Sequence, residues 1–409
     1  MSKSLKLLVA CHSGTFSGID TYAEQIALTA AIASHSVTLI ALGAANAAAL
    51  AERLGPAGVR VITGGQVEAS GWRKTMRQWP GLAARELQLA LGETLDDLGE
   101  KFDAAHLNHP MLASVARHHS GRIVVAAWFY PHSPRGRWKE TWHHTGARLP
   151  LSAAMAFKGL SHFHNDEVGY RLSDCVVAPT DLLCQQLLSL GIKAASSAPP
   201  CGSPGESAPS TSGRRALTTC ETSLADEHVP RIIMCCGDLA HPRKNVKAGL
   251  EAVRHLGREI ELELIGRNAS RLNAELRLLP KSVRVKTPGP LPSGEVRARF
   301  RQADILLLPS LYEEWGYVMA EAALEGARVV GFPVYPFKDV LTDPIGGCAS
   351  DETTVALAAE LEKTIRSPID HSEVRAGAQS RFGTEAAARR LNQIWIGHAA
   401  ARGEVIDRL

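Results

Sequence analysis

The chain has 409 residues, 45% hydrophobic and 21% charged, and its 45 basic and 42 acidic side chains leave a net charge of +3. That length exceeds one ordinary domain and predicts two. The balanced charge argues against nucleic acid as the main partner, and no window holds the roughly 18 uninterrupted apolar residues of a membrane span.

The elements follow in chain order. Residues 5–10 (LKLLVA) read as a buried parallel strand. A Gly/Ser loop (CHSGTFSGID), a helix over 21–34 and a strand over 37–42 come next. Strands at 104–107, 123–128 and 175–178 alternate with helices at 111–118 and 181–190. Short, continuously apolar strands between helices predict a parallel sheet covered on both faces. The composition then shifts to SSAPPCGSPGESAPSTSG over 196–213, which is too rich in Pro, Gly and Ser to build a core and marks a linker. The α/β pattern restarts with strands at 231–236, 260–265, 282–286, 304–309 and 327–332. Helices are expected at 246–256, 293–302 (with Ser293 as N-cap) and 319–325. Residues 382–401 read as an amphipathic helix with Leu391, Ile394 and Trp395 on one side.

The predicted organisation is thus α/β, two tandem Rossmann-like doubly wound domains. Residues 1–195 form the first, 196–229 the linker, 230–384 the second, and 385–409 the last helix. The N-terminus, MSKSLKLLVACHSG, turns polar after a short apolar run and lacks a signal-peptide core. Eight cysteines include the adjacent Cys235-Cys236; the others are Cys11, Cys175, Cys184, Cys201, Cys220 and Cys348. No C-x-x-C and no Cys/His group at zinc spacing occurs, so buried thiols in a reducing, cytoplasmic setting are expected.

In doubly wound sheets ligands sit beyond the carboxyl ends of the strands. The loop HSGTFSGID opens a helix, and its glycines let backbone N–H groups approach an anion; a plain strand-to-helix turn would read the same way. GDLAHPRKN (237–245) sets Arg243 and Lys244 side by side before a helix. It reads either as a diphosphate-stabilising pair or as a solvated basic loop. In PSLYEEWGYVMAEAALEG (309–326), Glu313 follows a strand, Gly316 permits close backbone approach, and Glu321 lies one to two turns into a helix. The helix dipole accounts for Glu313 and Glu314 but not for Glu321 or Glu325. Carboxylates there would suit vicinal hydroxyls of a ribose or hexose.

This stretch resembles the signature of retaining glycosyltransferases of the GT-B fold, family 4. Pro309, Ser310, Glu313, Trp315, Gly316, Glu321, Ala322 and Gly326 carry the P-S-x-x-E-x-(Phe/Trp)-G-x-x-x-x-E-A-x-x-x-G pattern. Gly237, Arg243-Lys244-Asn245, Leu264-Ile265-Gly266, Gly289 and Ala303-Asp304 fall in family-like order upstream, and Arg328-Val329-Val330 follows downstream. In the first half, Ser17-Gly18-Ile19, residues 102–106 (FDAAH) and 177–180 (VAPT) resemble looser family segments.

The resemblance implies a nucleotide-sugar-binding second domain and an acceptor-facing first domain about a central cleft, with the last helix crossing back to the first. It implies that Glu321 holds the donor's ribose, and that Glu313 and the backbone of Glu314, Trp315, Gly316 and Tyr317 hold sugar and phosphate. Lys244 and Arg243 would neutralise the diphosphate, Gly18 would close over it, and Gly237, Gly266, Gly289 and Leu291 would line the nucleotide. No metal and no cofactor is expected, because protein cations serve the leaving group.

Three departures stand out. Asp238 occupies the usual Arg place, Glu314 replaces a glycine, and Trp128 occupies the usual His place. His132, in WFYPHSP, is taken as the catalytic histidine, with His109 as the other candidate.

The expected reaction moves a sugar, from a UDP-sugar first and a GDP-sugar second, to a hydroxyl of a small-molecule, glycan or lipid-linked acceptor. Aromatic–basic stretches at 71–92 and 138–148 read as an acceptor pocket, a weak peripheral membrane contact or half-buried helix. A nucleotide-sugar 2-epimerase of the same architecture, or a non-catalytic sugar-nucleotide-binding protein, are the rival readings.

Overall fold

A computed structural model of the protein describes residues 4–12, 18–42, 47–65, 80–127, 167–202, 228–313 and 315–397. These residues fall into two compact units. The first runs to Gly202 and regains the chain's last helix; the second runs from His228 to Arg381.

The first unit contains β1 (Lys6–His12), α1 (Gly18–Ile32), β2 (Ser36–Leu42), α2 (Ala47–Leu54), β3 (Arg60–Gly64), α3 (Pro80–Leu98), β4 (Phe102–Leu107), β5 (Ser120–Ala126), β6 (Cys175–Ala178), α4 (Asp181–Ser189) and β7 (Ala194–Ser196). Its strands lie parallel in the order β3-β2-β1-β4-β5-β6-β7. Leu7, Leu8, Val9 and Ala10 are fully buried, as expected where helices cover both faces of a continuously apolar strand. The strand order reverses beside β1, so the switch point lies between β1 and β4.

The second unit repeats the plan: β8 (Arg231–Asp238), α5 (Val246–Arg254), β9 (Ile260–Arg267), β10 (Val283–Gly289), α6 (Ser293–Gln302), β11 (Ile305–Leu308), α7 (Tyr317–Leu324), β12 (Arg328–Gly331), β13 (Gly346–Cys348), α8 (Thr354–Arg366) and α9 (His371–Phe382). The order is β10-β9-β8-β11-β12-β13, again parallel, with the switch point between β8 and β11.

Helix α10 (Thr384–Trp395) then packs on α1 in the first unit. Leu391, Ile394 and Trp395 are its buried side. Trp395 Nε1 donates to His106 Nδ1 at 3.0 Å, and His106 Nε2 lies 2.9 Å from the Tyr22 hydroxyl of α1. Cys201 N–H donates to the Phe382 carbonyl at 2.8 Å, so the end of the first segment and the start of the returning one run side by side.

Several expectations need correction. Ser293 is the first residue of α6 rather than its cap; Pro292 precedes the helix in extended conformation, and no side chain caps it. The helix expected at 111–118 is a 3-10 turn (Pro110–Leu112) followed by a single α-turn (Ala113–Ala116). Ser196, placed in the linker, belongs to β7, which pairs with β6. Residues 203–227, the greater part of that linker, lie outside the described residues. Of the aromatic–basic stretch at 71–92, the part from Pro80 onward is in α3, whose Leu87, Ala90, Leu91 and Leu95 enter the core. The stretch at 138–148 lies outside the described residues. Among the described residues no helix is long and apolar enough to cross a membrane.

Candidate active site

At the switch point of the second sheet, two loops leave adjacent strands β8 and β11 in opposite lateral directions, which opens a crevice over their carboxyl ends. The loops are tied together: Leu311 N–H donates to the Arg243 carbonyl at 2.9 Å.

The loop after β8 is shaped by local side-chain-to-backbone bonds. Asp238 accepts the Ala240 N–H at 3.0 Å. His241 Nδ1 accepts the Arg243 N–H at 3.2 Å and caps the short turn Pro242–Lys244. Asn245 follows in the left-handed region (φ 49°), a conformation Asn tolerates better than most residues. This turn delivers two consecutive cations to one point. Lys244 Nζ bonds Glu313 Oε1, and Arg243 Nη1 lies 3.9 Å from Glu313 Oε2.

Glu313 is 4% exposed. Ser310 Oγ donates to its Oε1 at 2.7 Å, so this oxygen is shared by Ser310 and Lys244. Burial of a carboxylate is tolerable here because a cation and a hydroxyl satisfy it. Beneath the loops, burial pushes the Cys235 thiol up to about 12 and the Cys236 thiol up to about 11. Both are therefore neutral, inert neighbours of the charged cluster.

Helix α7 opens at Gly316, with φ 81° and no side-chain cap. A Cβ on Gly316 would meet the Phe337 ring at 3.3 Å, so both backbone and space select glycine. Glu321 is half-buried on this helix. Desolvation raises its pKa, Arg297 of α6 opposes that rise, and Glu325 adds to it. Glu325 is buried against Arg301, with Nε 2.7 Å from Oε2, and serves helix packing.

Glu313, Lys244 and Arg243 therefore meet at one point. Gly289 ends β10, and Gly266 and Gly237 are the penultimate residues of β9 and β8, so the three stand at the carboxyl ends of neighbouring strands; Leu291 lies two residues beyond Gly289. Gly266 has φ 147°, and a Cβ there would lie 2.0 Å from the Cys236 carbonyl oxygen, so this glycine is fixed by strand packing. Trp315 is 2% exposed, backbone included, and packs in the core, whereas Tyr317 is half-buried at the start of α7. Gly18 opens α1 of the first unit. His109 follows β4 beside Asn108, whose N–H donates to the Ala10 carbonyl at 3.2 Å, and so stands at the first sheet's switch point. His132 and Glu314 lie outside the described residues.

Asp238, which reads as a charge conflict in sequence, has a local task. A side-chain bond with Asn268 and the Ala240 N–H hold its carboxyl below the usual range. Sequence reasoning missed Ser310 as a carboxylate partner, His241 as a cap and Arg297 as a neighbour of Glu321. Only His241-Pro242 carried a signal, as a cap-like residue before a turn proline. Among the described residues no group of three or more His, Cys, Asp or Glu is placed to hold a metal ion.

Comparison with known proteins bears on both units. Residues 230–367 match the family described as Glycosyl transferases group 1. A 2-deoxystreptamine glucosyltransferase of Streptomyces kanamyceticus is 29% identical over 171 residues, covering 38% of this chain and 43% of the relative's length. The sucrose-phosphate synthase structure from Thermosynechococcus elongatus superposes with a TM-score of 0.66 at 16% identity, covering 97% of this chain and 99% of that one. Anabaena HepE, solved in complex with UDP and glucose, gives 0.62 at 14% identity, with 96% and 100% covered. The chain thus has the GT-B fold of two tandem Rossmann-like domains, and its residues 230–367 carry a glycosyl transferases group 1 domain.

Proposed function

We propose that the protein is a retaining, family 4-type glycosyltransferase that moves a sugar from a nucleoside-diphosphate sugar to an acceptor hydroxyl without a metal. The observation that carries this is the Arg243–Lys244–Glu313 cluster at the switch point of the second sheet. Two cations held by a shaped loop suit a departing diphosphate, whose negative charge grows as the bond to the sugar breaks. The uncapped start of α7 suits a phosphate oxygen in the same crevice. Glu313 Oε1 is occupied by Lys244 and Ser310, and Oε2 retains acceptor capacity for sugar hydroxyls.

In the reaction the acceptor oxygen bonds to the anomeric carbon on the face the diphosphate leaves, and a diphosphate oxygen takes the acceptor's proton. The protein positions the partners and stabilises charge; no side chain forms a covalent bond. Glu321 binds the ribose hydroxyls, and Gly237, Gly266, Gly289 and Leu291 line the nucleotide. A UDP-sugar is the favoured donor, with a GDP-sugar second, because HepE, of the same fold, was solved with UDP and glucose. A small polar acceptor is favoured by the relative named 2-deoxystreptamine glucosyltransferase. The local bonds of Asp238 to Asn268 and Ala240 support an active enzyme over a non-catalytic binder.

The test is to incubate the protein with UDP-, GDP- and ADP-sugars without metal and to measure nucleoside diphosphate release by mass. Selective release from one donor is expected. Lys244→Met should reduce turnover by about 10²–10³-fold, the range for losing one transition-state donor. Full activity in that variant would remove the central role of Lys244.

A further inference from the structure

Helices α6 and α7 precede and follow strand β11, so in a parallel sheet they run in the same direction, and they are packed together. Arg297 and Arg301 lie one turn apart on α6; Glu321 and Glu325 lie one turn apart on α7. The rung farther from the helix starts is closed, with Arg301 Nε 2.7 Å from Glu325 Oε2. The same spacing on two parallel helices sets Arg297 against Glu321 one turn nearer the helix N-termini. That is the carboxyl-end side of the sheet, where the crevice lies.

We propose that Arg297 is the positioning residue for Glu321, holding its carboxylate toward the crevice to receive the ribose diol of the donor. The inference rests on the donor-site reading above. The rungs differ in what they face. Arg301 and Glu325 close a structural pair, whereas Glu321 is half-buried, with the charges of Arg297 from α6 and Glu325 from its own helix and the Cys235 thiol of β8 within electrostatic range.

Among these neighbours Arg297 is the cation that opposes protonation of Glu321; desolvation and Glu325 both promote it. A neutral carboxyl loses acceptor capacity toward two hydroxyls. Removing Arg297 therefore lets Glu321 take up a proton at higher pH, and the loss of nucleotide binding it causes shrinks as pH rises.

The experiment is calorimetric titration of UDP, GDP and ADP across the mildly acidic to mildly alkaline range. It compares wild type with Arg297→Met, Arg297→Lys, Arg301→Met and Glu321→Gln, with thermal melts to confirm folding. For the nucleotide that binds wild type best, Arg297→Met should lose about tenfold in affinity at neutral pH, equivalent to about 1.4 kcal/mol. The deficit should shrink on raising pH. Arg297→Lys should restore the wild-type profile, and Arg301→Met should lower the melting temperature and leave affinity unchanged. An Arg297→Met profile matching wild type, while Glu321→Gln binds poorly, would overturn the positioning role and leave the donor site standing. A loss equal at every pH would make Arg297 a direct nucleotide contact and also overturn it. Unchanged binding by Glu321→Gln would remove the donor-site reading of Glu321, and the proposal with it.

Discussion

The two glutamates of the signature have opposite environments, and this sets opposite expectations for replacing them. Glu313 is buried but satisfied by Lys244, Ser310 and the nearby Arg243. Glutamine there would leave Lys244 without its anion, so Glu313→Gln should lower the melting temperature. Glu321 is the reverse case. Its folded pKa is raised by desolvation, so its ionised form is less stable in the folded chain than in the unfolded one. That destabilisation is present above the folded pKa and fades as pH falls through it. Glu321→Gln should therefore raise the neutral-pH melting temperature. The gain should vanish on acidification, and nucleotide affinity should fall. Scanning calorimetry of both variants across pH tests the pair; a stabilised Glu313→Gln, or a destabilised Glu321→Gln, would contradict it. The spacing of the two residues was visible in the sequence. Their difference was not, because it depends on Ser310, Lys244 and Arg297, which the fold brings from a neighbouring turn, a loop and another helix.

At the scale of elements, the loop Gly237–Asn245 shows why backbone order matters to the proposed chemistry. His241 Nδ1 accepts the Arg243 N–H, which only an unprotonated nitrogen can do. His241→Ala should remove the cap at about 1 kcal/mol, speed amide exchange over residues 242–245 and reduce turnover by slackening Arg243 and Lys244. His241→Asn, which keeps an acceptor, should retain most of both; equal exchange in the alanine variant and wild type would dismiss the cap. Several of the strands legible beforehand share one physical trait. Strands β1, β2, β6 and β11, and Ile232, Ile233 and Met234 of β8, are short apolar runs buried on both faces, and such runs announce themselves. Strands β3, β7 and β13 are three to five residues long and partly exposed, so they carry no comparable pattern. Helix α3 was obscured by its mixture of apolar and charged residues until Leu87, Leu91 and Leu95 were seen to share the core face. Ser293 failed as a cap because Pro292 already fixes an extended approach.

Across the whole molecule, the chain leaves its first unit after Gly202 and returns at Phe382, and the return is secured by three elements meeting at His106. Trp395 can only donate, so His106 Nδ1 must be the acceptor; the ring proton then sits on Nε2 and is received by the Tyr22 oxygen. One neutral tautomer thus joins β4, α1 and α10. Protonation would set two N–H groups face to face at Trp395, and complete burial accordingly pushes the His106 pKa down to about 3. The lowered value fixes the sign of the pH dependence. His106 contributes stability above its unfolded value of 6.5, and that contribution is lost as pH falls toward about 3, because the unfolded chain binds the proton first. Over this window the single group imposes a slope of up to about 1.4 kcal/mol per pH unit. Trp395→Phe keeps the packing but orphans Nδ1, and should destabilise by about 1–3 kcal/mol at neutral pH. His106→Gln cannot titrate, so denaturant unfolding measured at successive pH values should show a shallower acid slope than wild type. If the two slopes coincide, His106 does not govern acid stability, and the return of α10 rests on its apolar face with the bonds of His35 to Asn392 and of Arg122 to the Ile394 carbonyl.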